Sequence, residues 1–402
     1  MAHTDTTLIV GVLSELSSRE HRVALDPSAV DHLVKAGFAV LFEAGCGADA
    51  SFPDSAYEAS GATAASHSDV IAKCNILAVL DFPAPLVADA LTSGQVLVGL
   101  LDALNNRDAV AKLASRGVTA VALELLPRTL SRAQAMDALS SQSSAAGYRA
   151  GIVAASSFGR YLPMMVTASG TAIPAKVIVI GTGVAGLQAI ATTKRLGAIV
   201  TGYDVRPASH TEVESLGARF LTSSVAAGAG EGGYARAMTT EEQAAQQNEL
   251  SEALIAFDVI ITTAKVPGRM PALLVSEQAL ATLQPGSVCV DLGASDKGGN
   301  VFGSVDGETH TTAGGVIVVG GGNLAADLPA SASQMYGRNI TSVIDALAPD
   351  GVITIDATDE VHSAIVVSHD GLIVSERVRD AMKLAPLPAP DAHITSPKAK
   401  AA

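Results

Sequence analysis

The chain has 402 residues, 48% of them hydrophobic, and a formal net charge of −14 from 26 Lys and Arg against 40 Asp and Glu. That length holds two or three ordinary domains, each able to bury its own core, and the acidic balance argues against binding nucleic acid or an anionic membrane surface, whose phosphates it would repel. Three cysteines without Cys-x-x-Cys spacing and nine scattered histidines argue against a disulfide framework and a zinc site, so no metal is expected.

The opening MAHTDTTLIVGV has no basic segment followed by an apolar core, so no signal peptide is expected and a reducing cytoplasm fits. Short apolar runs follow (LIVGVL, AVLF, ILAVL, VLVGLL, TAVALELL), separated by Ala-rich helical stretches such as PSAVDHLVKAG and NRDAVAKLASRG. Strand-helix alternation predicts a parallel sheet, and residues 1–141 read as a first α/β domain. The stretch LPRTLSRAQAMDALSSQSSAAGYRA is unlike its neighbours, crowding Arg, Gln, Asp and Ser together. A helical segment, AGYRAGIVAASSFGRYL, then carries the chain across, with a hinge expected there.

A second series begins near Lys176 (KVIVIG, AIVTGYDV, FDVIITTA, SVCVDLG, GVIVVGG), giving a second α/β domain over 142–332. Its uncharged segment from Val177 to Thr193 reaches the short limit of a membrane span, roughly 17–25 residues. Its glycines break it instead into strand, turn and helix, and no membrane span is expected. Within this domain, 222–248 is rich in Gly, Ala, Ser and Thr with Tyr234 as its one aromatic, and reads as a mobile lid. SASQMYGRNITSVIDALA reads as a helix returning to the first domain, which 333–385 would complete. The Pro- and Ala-rich 386–402 reads as a disordered tail. The fold class expected is α/β, two Rossmann-like doubly wound parallel-sheet domains separated by a cleft.

The glycines Gly181, Gly183 and Gly186 in IGTGVAGLQ follow a β-branched run and open a helix, and Asp204 lies at the end of the next strand. In that context Gly-x-Gly-x-x-Gly is a dinucleotide fingerprint: one glycine for the tight turn, one for close approach of a pyrophosphate, one for helix-strand packing, with Thr182 and Val184 between them. Amides at the helix N-terminus would face the phosphates. Asp204 would accept from a ribose 2′-hydroxyl and repel a 2′-phosphate, favouring NAD(H) over NADP(H). Arg206 is nonetheless a residue type that can accommodate the extra phosphate.

Taken together, HRVALDP, EAGCGADASFPDSAYEASGA, SRAQAMDALSSQSSAAGYRA, the Gly181 fingerprint, YDVRP, GGYA, ITTAKVPGRMPALLV and VDLGASDKGGN resemble the NAD(H)-binding component of proton-translocating nicotinamide nucleotide transhydrogenases, relatives of alanine dehydrogenase. The resemblance spans roughly Leu8 to Arg379. It implies that the polar stretch lines a nicotinamide pocket, with Gln134, Asp137 and Ser140 at three-residue intervals on one helix face and either Arg128 or Arg132 beside them. It also implies roles for Tyr234 and Gly233 in the lid, for Gln246 and Lys265, and for Val205 and Arg206 beside Asp204. The chain departs from the family pattern in PRTLSRAQ and VDLGASDKGGN, each a residue longer than usual. It departs also in GGGNLAADLP, which lacks the usual Pro and Arg, and at Lys265, which stands for a leucine.

The function this resemblance implies is direct hydride transfer between NAD(H) on this chain and NADP(H) on a partner subunit. The assembly would contain membrane-spanning partners that translocate protons, with this chain, expected as a homodimer, peripheral on the inner face of the cell membrane. The alternatives are an alanine dehydrogenase-like enzyme and a non-catalytic NAD-binding module. The alanine dehydrogenase pattern has a lysine and a histidine where this chain reads LAVLDFP and VGLLDAL, leaving no evident acid or base for amine oxidation.

Overall fold

The structure is a computed structural model that describes residues 7–225, 236, 238–265, 268, 270–296 and 298–387. Six strands open the chain: β1 Ile9–Val12, β2 Ala39–Glu43, β3 Thr63–Ala65, β4 Ile76–Asp81, β5 Val96–Leu100 and β6 Thr119–Ala122. They pair in parallel. A long bridging helix, Ala138–Ser157, leads to a small hairpin of β7 Met165–Thr167 and β8 Gly170–Ala172. A second sheet follows, from β9 Lys176–Ile180, β10 Ile199–Tyr203, β11 Arg219–Leu221, β12 Val259–Thr262, β13 Val288–Asp291, β14 Thr309–Thr311 and β15 Ile317–Gly320. The return helix Pro329–Leu347 then leads to β16 Val366–His369 and β17 Leu372–Ile373, which join the first sheet.

The first sheet runs β17-β16-β6-β5-β4-β1-β2-β3 and the second β11-β10-β9-β12-β13-β15-β14. Each is a parallel, doubly wound, Rossmann-like sheet whose winding reverses beside its first strand, between β1 and β4 and between β9 and β12. At such switch points the crevice beyond the strand ends is where ligands bind. The edges differ from the all-parallel expectation: β14, β16 and β17 pair antiparallel. Helices cover both faces of the central strands, so Val177, Ile178, Val179 and Ile180 are all buried. That is why KVIVI reads as a continuous apolar run rather than an alternation. No described helix is long and apolar enough to cross a membrane.

The expected lid spanning 222–248 needs correction at its C-terminal side. A helix occupies Thr240–Leu254, started by a capping box in which Thr239 accepts from the Glu242 amide and the Glu242 carboxylate accepts from Thr239. Tyr234 and Gly233 lie outside the described residues, as do 388–402 of the expected tail.

The bridging helix packs on the helix Val184–Arg195 that follows the glycine fingerprint, and Gly147 makes this possible. A Cβ there would run into the Ala185 carbonyl oxygen. At the first switch point, Glu15 caps β4: its carboxyl accepts the Leu80 amide at 2.7 Å. Burial, reinforced by Asp81 and Glu20 and opposed by that amide and Arg22, pushes its pKa up to about 8.

Gly147→Ala should destabilise the protein by about 1–3 kcal/mol, the usual cost of overpacking, in thermal or urea unfolding. Gly159→Ala, where a Cβ meets nothing within 4 Å, is the control that should change little. Glu15 gives a pH signature. Its folded pKa of about 8 lies above the unfolded 4.5, so its favourable contribution is complete below 4.5 and is lost as pH rises toward 8. Glu15→Gln should therefore raise the melting temperature at pH 8 and change it little at pH 4.5. An equal shift at both values would show that Glu15 is ionised in the folded protein.

Candidate functional site

The second switch point is built by backbone constraints. Gly181, directly after β9, has φ +88°, which favours glycine, and a Cβ on Gly186 would collide with the Gly181 carbonyl oxygen. Around Gly183, by contrast, a Cβ would meet nothing within 4 Å. Gly183 caps the helix Val184–Arg195 without a side-chain hydrogen bond, which leaves the helix N-terminal amides directed at open space. Thr263, after β12, donates to the Gly181 carbonyl at 2.7 Å and fixes the turn from the other side of the switch point.

Asp204 follows β10 and is buried. Its Oδ2 accepts from the Thr182 amide at 2.8 Å and the Thr182 hydroxyl at 3.2 Å. Arg206 grips the same carboxylate as a fork, Nε to Oδ1 at 2.9 Å and Nη2 to Oδ2 at 2.8 Å, while its amide donates to Oδ1 at 2.9 Å. Burial opposes the charge, but the Arg206 guanidinium and the Thr182 amide outweigh it and hold Asp204 below the usual carboxylate range. Val205 is half-buried against Tyr203 and Leu250 in one core cluster. Gln246 is buried on the Thr240–Leu254 helix, within hydrogen-bonding reach of the Tyr203 hydroxyl. Lys265 is exposed after β12, and its charge reaches Asp81 at the end of β4 in the first sheet.

The polar stretch forms no single helix face. Ser131–Met136 is a 3-10 helix, and Asp137, with φ −75° and ψ 79°, breaks from it to cap the bridging helix. Asp137 accepts the Ser140 amide through Oδ1 at 2.8 Å. Arg128 donates from Nε to Asp137 at 3.0 Å and from Nη2 to the Ser140 hydroxyl at 2.6 Å. Gln134 is exposed on the adjoining 3-10 turn. Of the two arginines, Arg128 therefore joins Asp137 and Ser140, whereas Arg132 is paired with Asp359 at 2.8 Å.

Two supporting residues escape a reading by sequence alone. Asn339, buried on the return helix, donates to the Ala135 carbonyl at 2.8 Å and accepts from Ser141 at 2.7 Å, clasping both flanks of the polar stretch. Asn300 donates to the Ala264 carbonyl at 3.0 Å and accepts the Ala264 amide at 3.1 Å, fixing the backbone before Lys265. The Asn that ends VDLGASDKGGN was the available signal for the second; the first is a long-range contact with none. Among the described residues no group of three His, Cys, Asp or Glu could hold a metal ion.

Known proteins share this arrangement. The alanine dehydrogenase/PNT N-terminal domain matches residues 11–146, and the alanine dehydrogenase/PNT C-terminal domain matches 150–376. An NAD(P) transhydrogenase subunit alpha chain of Rhodospirillum rubrum is 41% identical over 378 residues, covering 91% of this chain and 97% of that one. An alanine dehydrogenase of Mycolicibacterium smegmatis is 27% identical over 388 residues, covering 94% and 97%. The crystal structure of transhydrogenase from Sinorhizobium meliloti superposes with a TM-score of 0.79 at 37% identity, over 92% of this chain and 99% of that one. With both domain types matched in order and such relatives along nearly its whole length, the chain belongs to the alanine dehydrogenase/PNT family.

Proposed function

We propose that this chain is the NAD(H)-binding subunit of a proton-translocating NAD(P) transhydrogenase. The observation that carries the nucleotide assignment is the union of the open helix N-terminus at Gly183 with an ionised, buried Asp204 one strand away. Greater likeness to a transhydrogenase subunit than to an alanine dehydrogenase supports the reaction. So do the ends of β4 and β5, which carry Asp81 and Leu100-Leu101-Asp102 rather than a lysine and a histidine.

The nucleotide supplies hydride chemistry at its nicotinamide ring; the chain's own residues bind and orient. Thr182, Gly183 and the Val184 helix start hold the pyrophosphate through backbone amides. Asp204 accepts from the adenosine ribose, with Val205 beside the adenine. Arg128, braced by Asp137 and Ser140, presents donors to the nicotinamide half, with Gln134 on the neighbouring turn. None of these groups needs to titrate, because transfer between two nicotinamides requires contact and exclusion of water rather than an acid or base.

NADP(H) belongs on a partner subunit, and proton translocation on membrane-spanning partners that hold this chain at the inner face of the membrane. A homodimer is consistent with the β7–β8 hairpin, whose surroundings expose Tyr161, Met164, Val166 and Ile173. Burial of so many large apolar groups against a second copy removes them from water.

The purified chain should bind NADH, form no NADH from alanine, and leave NADPH unoxidised until an NADP(H)-binding subunit is added. NADPH-dependent reduction of the acetylpyridine analogue of NAD should then begin. Alanine-dependent NADH formation by the isolated chain would overturn the proposal. Within the site, Arg128→Lys loses the planar fork to Asp137 and Ser140. It should slow hydride transfer by about 10- to 100-fold through misorientation while changing NADH affinity little. Arg132→Lys, at the Asp359 pair, should leave the transfer rate near the parent value; the reverse ranking would assign the pocket to Arg132.

A further inference from the structure

We infer that Arg206 is a specificity-determining residue, a 2′-phosphate receptor kept silent by Asp204. The inference rests on the NAD(H) reading above and concerns how the second cofactor is refused.

An arginine just beyond the acidic strand end is chemically suited to a 2′-phosphate. Its planar guanidinium presents parallel donors to phosphate oxygens as readily as to a carboxylate. In this chain those donors are already committed. Nε and Nη2 each take one oxygen of Asp204, at 2.9 and 2.8 Å, and the Arg206 amide binds the same carboxylate from the backbone side. The Thr182 amide anchors Asp204 on the opposite side, so the carboxylate is fixed to the glycine turn and cannot follow the guanidinium outward.

The pair is also well shielded, with side-chain exposures of 21% for Arg206 and 6% for Asp204. Arg206 keeps the carboxylate ionised and aimed; Asp204 keeps the guanidinium from a competing anion. The other acid whose charge reaches Arg206 is Glu212, on the first turn of the helix Ser209–Ser215.

The arrangement makes refusal of NADP(H) depend on one negative charge rather than on lack of a phosphate partner. For a subunit that must meet NADP(H) held by its neighbour, that charge keeps the two nucleotides on their own sides. Asp204→Asn removes the charge while leaving a side-chain oxygen for the Thr182 amide, and turns the Arg206 fork from a silent group into the phosphate's partner.

The test titrates NADH and NADPH, by nucleotide fluorescence, into the full chain and three variants: Asp204→Asn, Arg206→Met and the double substitution. Competition by 5′-AMP and 2′-AMP isolates the ribose end from the nicotinamide end. The parent should bind NADH and discriminate strongly against NADPH. Asp204→Asn should gain about 10- to 100-fold in affinity for NADPH and 2′-AMP, the range spanned by one charge-assisted hydrogen bond, and lose affinity for NADH. Arg206→Met alone should gain nothing, and the double substitution should lose the NADPH gain.

A gain that survives without Arg206, or no gain in Asp204→Asn, overturns the inference. If Asp204→Asn melts early, Asp204→Ser carries the same comparison under the same two outcomes. A parent that binds NADPH as well as NADH overturns the inference while leaving nucleotide binding intact. A parent that binds neither overturns the NAD(H) reading itself, and the inference with it.

Discussion

A buried arginine sets how the two sheets face each other. Arg22, in the loop after β1, forks onto Glu20 at 2.7 and 2.6 Å, donates to Gln142 of the bridging helix at 2.7 Å and reaches Asn323, after β15, at 3.1 Å. Asn323 returns a hydrogen bond to Glu20 at 3.1 Å. Gln142 meanwhile donates to the Ala332 carbonyl of the return helix at 3.0 Å. The loop, both chain crossings and the end of the second sheet thus share one polar knot. A buried ion pair adds little net stability over an apolar replacement, yet deleting one partner costs about 3–5 kcal/mol. Its contribution here is geometric: few other packings of the two sheets would satisfy every donor of Arg22.

Carboxylates that bind backbone amides at strand ends recur through the molecule. Parallel strands leave amides unpaired at their carboxyl ends, and acids occupy them: Glu15 on Leu80, Glu124 on Leu101 and Ala103, Asp291 on Gly293 and Val301, Asp204 on Thr182. Burial raises Glu15 to about 8 and Glu124 to about 7, and raises Asp291 as well. Asp204 alone of these four is lowered, because only it has an arginine gripping both oxygens. The acid that the proposed site needs as an anion is thus the one given a cation, while the other three suit structural capping.

What the sequence disclosed divides by the range of the interaction. KVIVI, the Gly181 turn and the Asp204 strand end are local: each follows from β-branched residues, a positive φ or a fixed spacing, and each stands where the chain pattern places it. The start of the Thr240 helix was also local, written in Thr239 and Glu242, but the small residues around them masked it. The choice between Arg128 and Arg132 was not local. Asp359, brought in by the chain's return to the first sheet, claims Arg132, and spacing alone carries no trace of that partner. Asn339 was hidden for the same reason, since an asparagine inside an amphipathic helix announces no partner until the fold supplies the Ala135 carbonyl.

These contacts divide the proposed site between two bodies. Ala133, Met136 and Ala138 of the polar stretch belong to the core of the first sheet, and Asn339 ties the same stretch to the return helix. The groups assigned to the nicotinamide half therefore move with the first sheet. Gly181, Thr182 and Asp204 move with the second, whose cores hold Val179, Ile180 and Tyr203. A dinucleotide gripped at both ends spans that division, so any rotation about the Arg22 knot displaces the nicotinamide relative to the adenosine. Hydride transfer is sensitive to displacements of about 1 Å. Placing a saturated, buried knot at the pivot, and the nicotinamide-side groups on the body opposite the glycine turn, makes the distance between the reacting rings a property of how the two sheets are joined.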